Sequence, residues 1–138
     1  MAKILMFLWI QGIDGLSQDP RHLREINVES FSFGSKDASA VGYGSWQESA
    51  VNFEFIKLFD GVSPILHQAA ASGKHFAKAI LTVERNFGGR SAGELIRVVM
   101  SDVIIANTIR VSTSKVPVAD DFESIGLNYA SISWKHKE

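Results

Sequence analysis

The 138-residue chain has no cysteine. That excludes disulfides, thiolate nucleophiles, cysteine-ligated zinc and iron–sulfur clusters, and sets the chain apart from small secreted domains held by disulfide staples. An excess of either charge is also missing: 14 basic against 15 acidic side chains leave a formal charge of −1. A protein held on nucleic acid by phosphate contacts would carry a basic excess or stripe, so no nucleic-acid partner is expected. The short basic tail Lys135-His136-Lys137 reads as a solvated terminus. No run approaches the roughly 20 apolar residues that span a bilayer as a helix, and no membrane partner is expected. Internal repeats and low-complexity tracts are absent as well. The length suits one domain over 1–138, large enough to bury a core without a metal staple.

What is present is mostly strand pattern. Lys3 and the apolar run Ile4–Ile10 have the outline of a short signal peptide, but Gln11, Gly12 and Asp14 follow without a cleavage pattern. The run reads instead as a strand with both faces covered. Residues 22–33 form a second strand region. Ile26 and Val28 share one phase while Phe31 and Phe33 share the other, so the apolar face changes sides near Ser30. Gly34–Ser49 has no periodicity and reads as a long loop, a length that usually means function. Val51, Phe53 and Phe55 alternate with polar residues as a half-buried strand.

One helix is expected. Ser63 is placed as its N-cap, Pro64 fits the first turn and Gly73 closes it. Alternation resumes from Ala77 to Glu84, with a hairpin loop at Phe87-Gly88-Gly89. Two strands follow, Glu94–Met100 and Val103–Val111, with a break near Ser101-Asp102. Val116-Pro117 and Asp120-Asp121 mark a loop, and a last strand covers about Phe122–Trp134. In that strand Ile125, Leu127 and Tyr129 share one phase, Ile132 and Trp134 the other. A large apolar side chain gains about 1.5–3 kcal/mol on full burial. Apolar residues on both faces of several strands therefore point to a second burial surface, most simply between subunits.

No catalytic pattern emerges. Ser72-Gly73-Lys74-His75 has the ending of a phosphate-binding loop, but Gln68 stands where the motif needs glycine, and the segment follows a helix rather than opening one. His22, His67, His75 and His136 lack helical metal-site spacing. No serine sits in a nucleophile-elbow motif, and the loop aspartates lack calcium-loop spacing. Neither an enzyme activity nor a cofactor or metal is expected.

Three groups of residues, in order, carry a resemblance. Gly12, Gly15, Ser17 and Asp19 lead into His22, Glu25, Ile26 and Val28. Ser63-Pro64 opens the helix and Ser72-Gly73-Lys74-His75 closes it, followed by Ala79, Leu81 and Thr82. Glu123, Leu127, Asn128, Tyr129, Ala130, Ile132 and Trp134 end the pattern. The chain resembles the hemolysin-coregulated protein (Hcp) family, the inner-tube subunit of the bacterial type VI secretion system, over nearly its whole length. The resemblance implies a mainly β fold: a barrel of two packed antiparallel sheets with one flanking α-helix, similar to phage tail-tube proteins. It implies a homohexameric ring with a wide channel, stacking of rings into a tube, and small effector proteins in the lumen. Contractile sheath, spike and baseplate proteins would be the other partners. Assembly would take place in the cytoplasm, and export would use the apparatus itself without a signal peptide. No fused toxin is expected after the last strand.

Phe31, Phe33, Ile132 and Trp134, chosen for their opposite phase, are the candidate subunit interface. Tyr43, Gly44, Ser45 and Trp46, within a loop less glycine-rich than is typical of the family, are the candidate ring-stacking arm. A ring-forming effector adaptor or chaperone, or a phage-type tail tube subunit, are the alternatives. Deleting Tyr43–Trp46 should leave single rings intact and abolish tubes in electron micrographs; unchanged tubes would remove this segment from stacking.

Overall fold

The computed structural model describes residues 2–19, 22–33, 52–87, 90–111 and 121–136. The strands are β1 (Ala2–Ile10), β2 (Ile26–Asn27), β3 (Ser30–Phe33) and β4 (Phe53–Leu58), then the helix α1 (Ser63–Ser72), and finally β5 (His75–Phe87), β6 (Arg90–Val111) and β7 (Phe122–His136). They form one seven-stranded sheet in the order β2-β1-β5-β6-β7-β4-β3, antiparallel at every pairing. Its two end strands are neighbours in sequence, separated only by Val28 and Glu29. The Val28 N–H donates to the Met6 carbonyl at 3.1 Å, and the Glu29 N–H donates to the Ile56 carbonyl at 2.7 Å. The chain thus leaves β1 and joins β4 within two residues, and the sheet closes on itself. This transfer explains the change of apolar face near Ser30: Ile26 and Val28 are buried against one wall, Phe31 and Phe33 half-buried against the other. The packed layers of the barrel are walls of one curled sheet.

Cross-strand rows fill the interior. Leu8, Leu81 and Val98 are register partners across β1, β5 and β6, as are Ile10, Ala79 and Met100; all six are fully buried. Ile105, Leu127 and Phe53 make a third row across β6, β7 and β4. Such a row holds apolar area that the unfolded chain exposes, worth about 25 cal/mol per Å².

The two strands expected between Glu94 and Val111 are one continuous strand. The break near Ser101-Asp102 is real but local: Asp102 has φ 55°, a left-handed conformation that Asp tolerates better than most residues. On either side of it the buried set changes phase, from Val98 and Met100 to Val103 and Ile105. A second irregularity falls between Ile105 and Asn107. Bulge-like defects bend a long strand and let it follow a closed wall.

The helix ends as expected at Gly73, φ 68°, with the Lys74 N–H bonded to the Ala69 carbonyl and the Gly73 N–H to the Ala70 carbonyl. Its start differs. Val62, not Ser63, is the N-cap, and it makes no side-chain cap bond. The Asp60 carboxylate instead accepts the Val62 N–H at 3.0 Å, because the Ser63 hydroxyl is committed to a buried cluster described below. Ser63, Leu66 and Ala69 form the buried stripe, and the helix packs on β6.

The outer face of β1 is covered from within the chain. Leu8 and Ile10 point into the core, while Phe7 lies under His22, with ring centroids 4.1 Å apart and planes at 10°. His22 belongs to residues 22–25, whose backbone pairs with residues 15–17. The Gly15 N–H donates to the Arg24 carbonyl, the Ser17 N–H to the Glu25 carbonyl, and the Arg24 N–H to the Ser17 carbonyl. Gly15 is required there, since a Cβ would come within 2.5 Å of the Glu25 carbonyl carbon and 2.7 Å of the Ile26 nitrogen. Gly73→Ala meets no neighbour and only the left-handed backbone, so it should cost about 1 kcal/mol. Gly15→Ala must move backbone and should cost about 1–3 kcal/mol. Urea denaturation of the two variants should rank them in that order.

Candidate assembly surfaces

The four candidate interface residues come together, but on the core side of the sheet. Phe31 and Phe33 alternate with exposed Ser30 and Ser32, and they face Phe55 and Phe53 in register. Phe33 lies 5.0 Å from Phe53 and 4.8 Å from Trp134, centroid to centroid. Ile132 pairs with Met100, and Trp134 with Val98. Phe31, Phe33 and Ile132 are half-buried against the core, whereas Trp134 is 53% exposed. The phase that singled these residues out is therefore not an outward one: the kink at Asp102 shifts the core-facing phase of β6, and β7 follows it. The result is an aromatic seam that starts in the core and ends in solvent at Trp134. Tyr43, Gly44, Ser45 and Trp46 lie outside the described residues.

A second apolar surface lies on β1, a strand apolar on both faces. A groove of about 460 Å³ runs beside the first half of β1, lined by Ile4, Leu5, Met6, Phe7, Val28 and Leu58 together with Asn27 and Glu29. Ile4 is 47% exposed and Leu58 39%. The pairing of β2 with β1 involves only Phe7 and Leu8, so the earlier residues of β1 have no β2 partner on that side.

The barrel wall next to the helix holds a buried ionic cluster. Lys57 follows Phe53 and Phe55 in the core-facing phase of β4, and its side chain is 1% exposed. Its Nζ lies 3.1 Å from Glu123 Oε2, 2.8 Å from Asp60 Oδ1, 3.1 Å from Ser63 Oγ and 2.6 Å from the Leu58 carbonyl. Glu123, wholly buried, also accepts the Ser63 hydroxyl and faces His67 Nε2 at 2.7 Å. One carboxylate thus ties β7 to β4 and to the first two turns of the helix. Charges removed from water to this degree require close partners.

On the opposite wall, Trp9, His22, Glu25, Ile80, Thr82, Glu84 and Arg97 line a recess of about 410 Å³. Of the sequence-stressed histidines, His22 faces two carboxylates here, His67 faces Glu123, and exposed His75 pairs with Asp102 at 3.1 Å. Lys57 belongs to no sequence motif and Glu123 only to the family resemblance, yet each carries a signal: a charged residue in the buried phase of an apolar strand.

The curled antiparallel sheet, the one helix among the described residues and the seam define a β-rich fold class, and known proteins specify which. Residues 7–136 match the family described as "Type VI secretion system effector, Hcp". Protein hcp1 of Pseudomonas aeruginosa is 30% identical over 132 residues, covering 92% of this chain and 79% of the relative. The crystal structure of Hcp1 from Salmonella typhimurium superposes with a TM-score of 0.78 at 30% identity, covering 100% of this chain and 88% of that one. Hcp2 from the same organism gives 0.69 at 30% identity, covering 96% and 86%. The chain belongs to the Hcp family, the secreted tube proteins of the type VI secretion system. A cap protein of the anti-feeding prophage tube shares the fold at 9% identity and a TM-score of 0.53.

Removing one partner of the buried cluster should be severe. Lys57→Met leaves Glu123 without its ammonium and should cost about 3–5 kcal/mol. Adding Glu123→Leu should recover part of that loss, because an apolar pair strands no charge. Denaturation of the single and double variants checks both values.

Proposed function

We propose that this chain, acting as one domain, forms homohexameric rings that stack into the type VI inner tube and carry small effectors in the lumen. The observation that carries this reading is the aromatic seam. Phe31, Phe33 and Trp134 continue the core into solvent, where an exposed indole favours coverage by a second subunit. The groove at Ile4 and Leu58 offers a different surface on the same molecule. Two unlike patches suit head-to-tail contacts, and these close into a ring when the rotation between subunits permits. Assembly takes place in the cytoplasm, and the contractile sheath, spike and baseplate act on the finished tube. The chemistry is association, with no catalytic step.

The test is mass by light scattering with electron microscopy of the same peak. Six-subunit rings with an open centre are expected; a monomer at micromolar concentration would overturn the reading. Trp134→Asp should yield folded monomers, since the indole is 53% exposed. Ile132→Asp should also split the ring, but it places a charge against the core and lowers stability as well. Rings that persist undiminished in Trp134→Asp would remove the seam from the interface.

A further inference from the structure

We propose that the Trp134 end of β7 on one copy of the chain seats in the Ile4–Leu58 groove of the next copy, with Lys135 facing Glu29 across the joint. This pairing rests on the ring reading above and names the two surfaces that meet. Register places both surfaces at one level of the sheet. Leu8 pairs with Leu81, Leu81 with Val98, and Val98 with Trp134. The next core row, Met6, Val83, Ile96 and His136, crosses the same four strands. At this level β1 and β7 are the two margins of the β1-β5-β6-β7 stretch.

Among the described residues, β2 pairs with β1 only at Phe7 and Leu8, and β4 pairs with β7 only as far as Leu127. Residues 2–5 and 131–136 thus have a paired strand on one side only. Margins of this kind take up another chain unless they are covered. Side chains alternate in the same way along both. Ile4 and Met6 share the core-facing phase of Leu8 and Ile10, while Glu29, beside buried Val28, is exposed. On β7, Trp134 lies on the core side and Lys135 next to it is exposed. Ile4 and Trp134 are half-exposed in spite of their core-facing phase, because the wall ends beside each of them.

A second copy set margin to margin continues the wall. Trp134 then comes against Ile4 and Leu58, which withdraws apolar surface from water on both copies. On the other side of the joint Lys135 meets Glu29, a pair of opposite charge. Joining two like margins would instead set the basic β7 ends, or the two Glu29 carboxylates, against each other, and such juxtapositions are selected against. Charge thus favours the head-to-tail order. Because the two margins lie at one level, the joint needs a rotation and little shift along the strands. Repeated contacts without such a shift close into a ring rather than climb as a helix.

The chain has no native cysteine, so crosslinking through introduced thiols is free of background. A short bismaleimide is added to the assembled chain carrying both Glu29→Cys and Lys135→Cys, and the products are separated on a denaturing gel. Bands from dimer to hexamer are expected, ending at six. Each single variant should stay monomeric on the gel, and the two single variants mixed before assembly should give dimers and nothing larger. Asn27→Cys with Ser133→Cys, likewise exposed positions at the two margins, makes the same test if the first pair hinders assembly. Intact rings by light scattering without crosslinks in either double variant would overturn this pairing and leave the ring reading standing. Crosslinked dimers from one single variant alone, or bands beyond six, would overturn the head-to-tail closed joint. A wild-type monomer would remove the ring reading and this pairing with it.

Discussion

The transfer of the chain from β1 to β4 at Val28 and Glu29 is the constraint on which the rest of the structure depends. The covalent link Val28-Glu29 joins the two end strands of the seven-stranded sheet, and two backbone hydrogen bonds, to the Met6 and Ile56 carbonyls, seat it on β1 and β4. A sheet so closed has an inside, and every long strand must keep an apolar face toward it while bending. That bending places Asp102 in a left-handed conformation and introduces the irregularity after Ile105. Closure also limits the surfaces left for association. Among the described residues, strand edges remain where pairing is short, as along the first half of β1.

Within that wall, polar groups hold the parts that the sheet itself does not order. Glu123 links the helix start to β4 through Lys57, Ser63 and His67. Glu84 links residues 22–25 to β5 through His22. In each case a buried carboxylate on a strand receives donors from a neighbouring non-sheet element. Apolar contacts hold such elements without directional preference. Hydrogen bonds to a buried acid select one position, because any other strands a charge away from water.

The membership of the chain in the Hcp family joins these features to assembly. A secreted tube protein must be stable as a unit and still present apolar surface to its neighbours. Here the two demands are separated in space. The cross-strand rows around Leu81 and Met100 are completely covered, whereas the seam at Trp134 and the groove at Ile4 are not. The outer face of β1 shows the boundary between these cases: Phe7 is covered by the chain's own segment, and Trp9 next to it only in part.

Much of this was legible in the residues alone. Period-two alternation marked the strands, Gly73 the end of the helix, and the change of phase at Ser30 an irregularity whose cause, a change of partner strand, only the structure shows. Phase is a local property of a strand, so sequence reports it directly. The same reasoning marked Phe31, Phe33, Ile132 and Trp134 by their opposite phase; the structure turns that phase toward the core side, through the pairing of β3 with β4 and through a kink in β6 that resets the inward phase of β7. Only the folded structure shows that Phe7 is covered by His22 or that Ser63 serves Glu123 rather than the helix N-terminus. Those partners lie about 60 residues away from Ser63 and 15 from Phe7 along the chain. No local pattern encodes such meetings: the closed sheet brings the groups together, and burial then makes the contacts decisive.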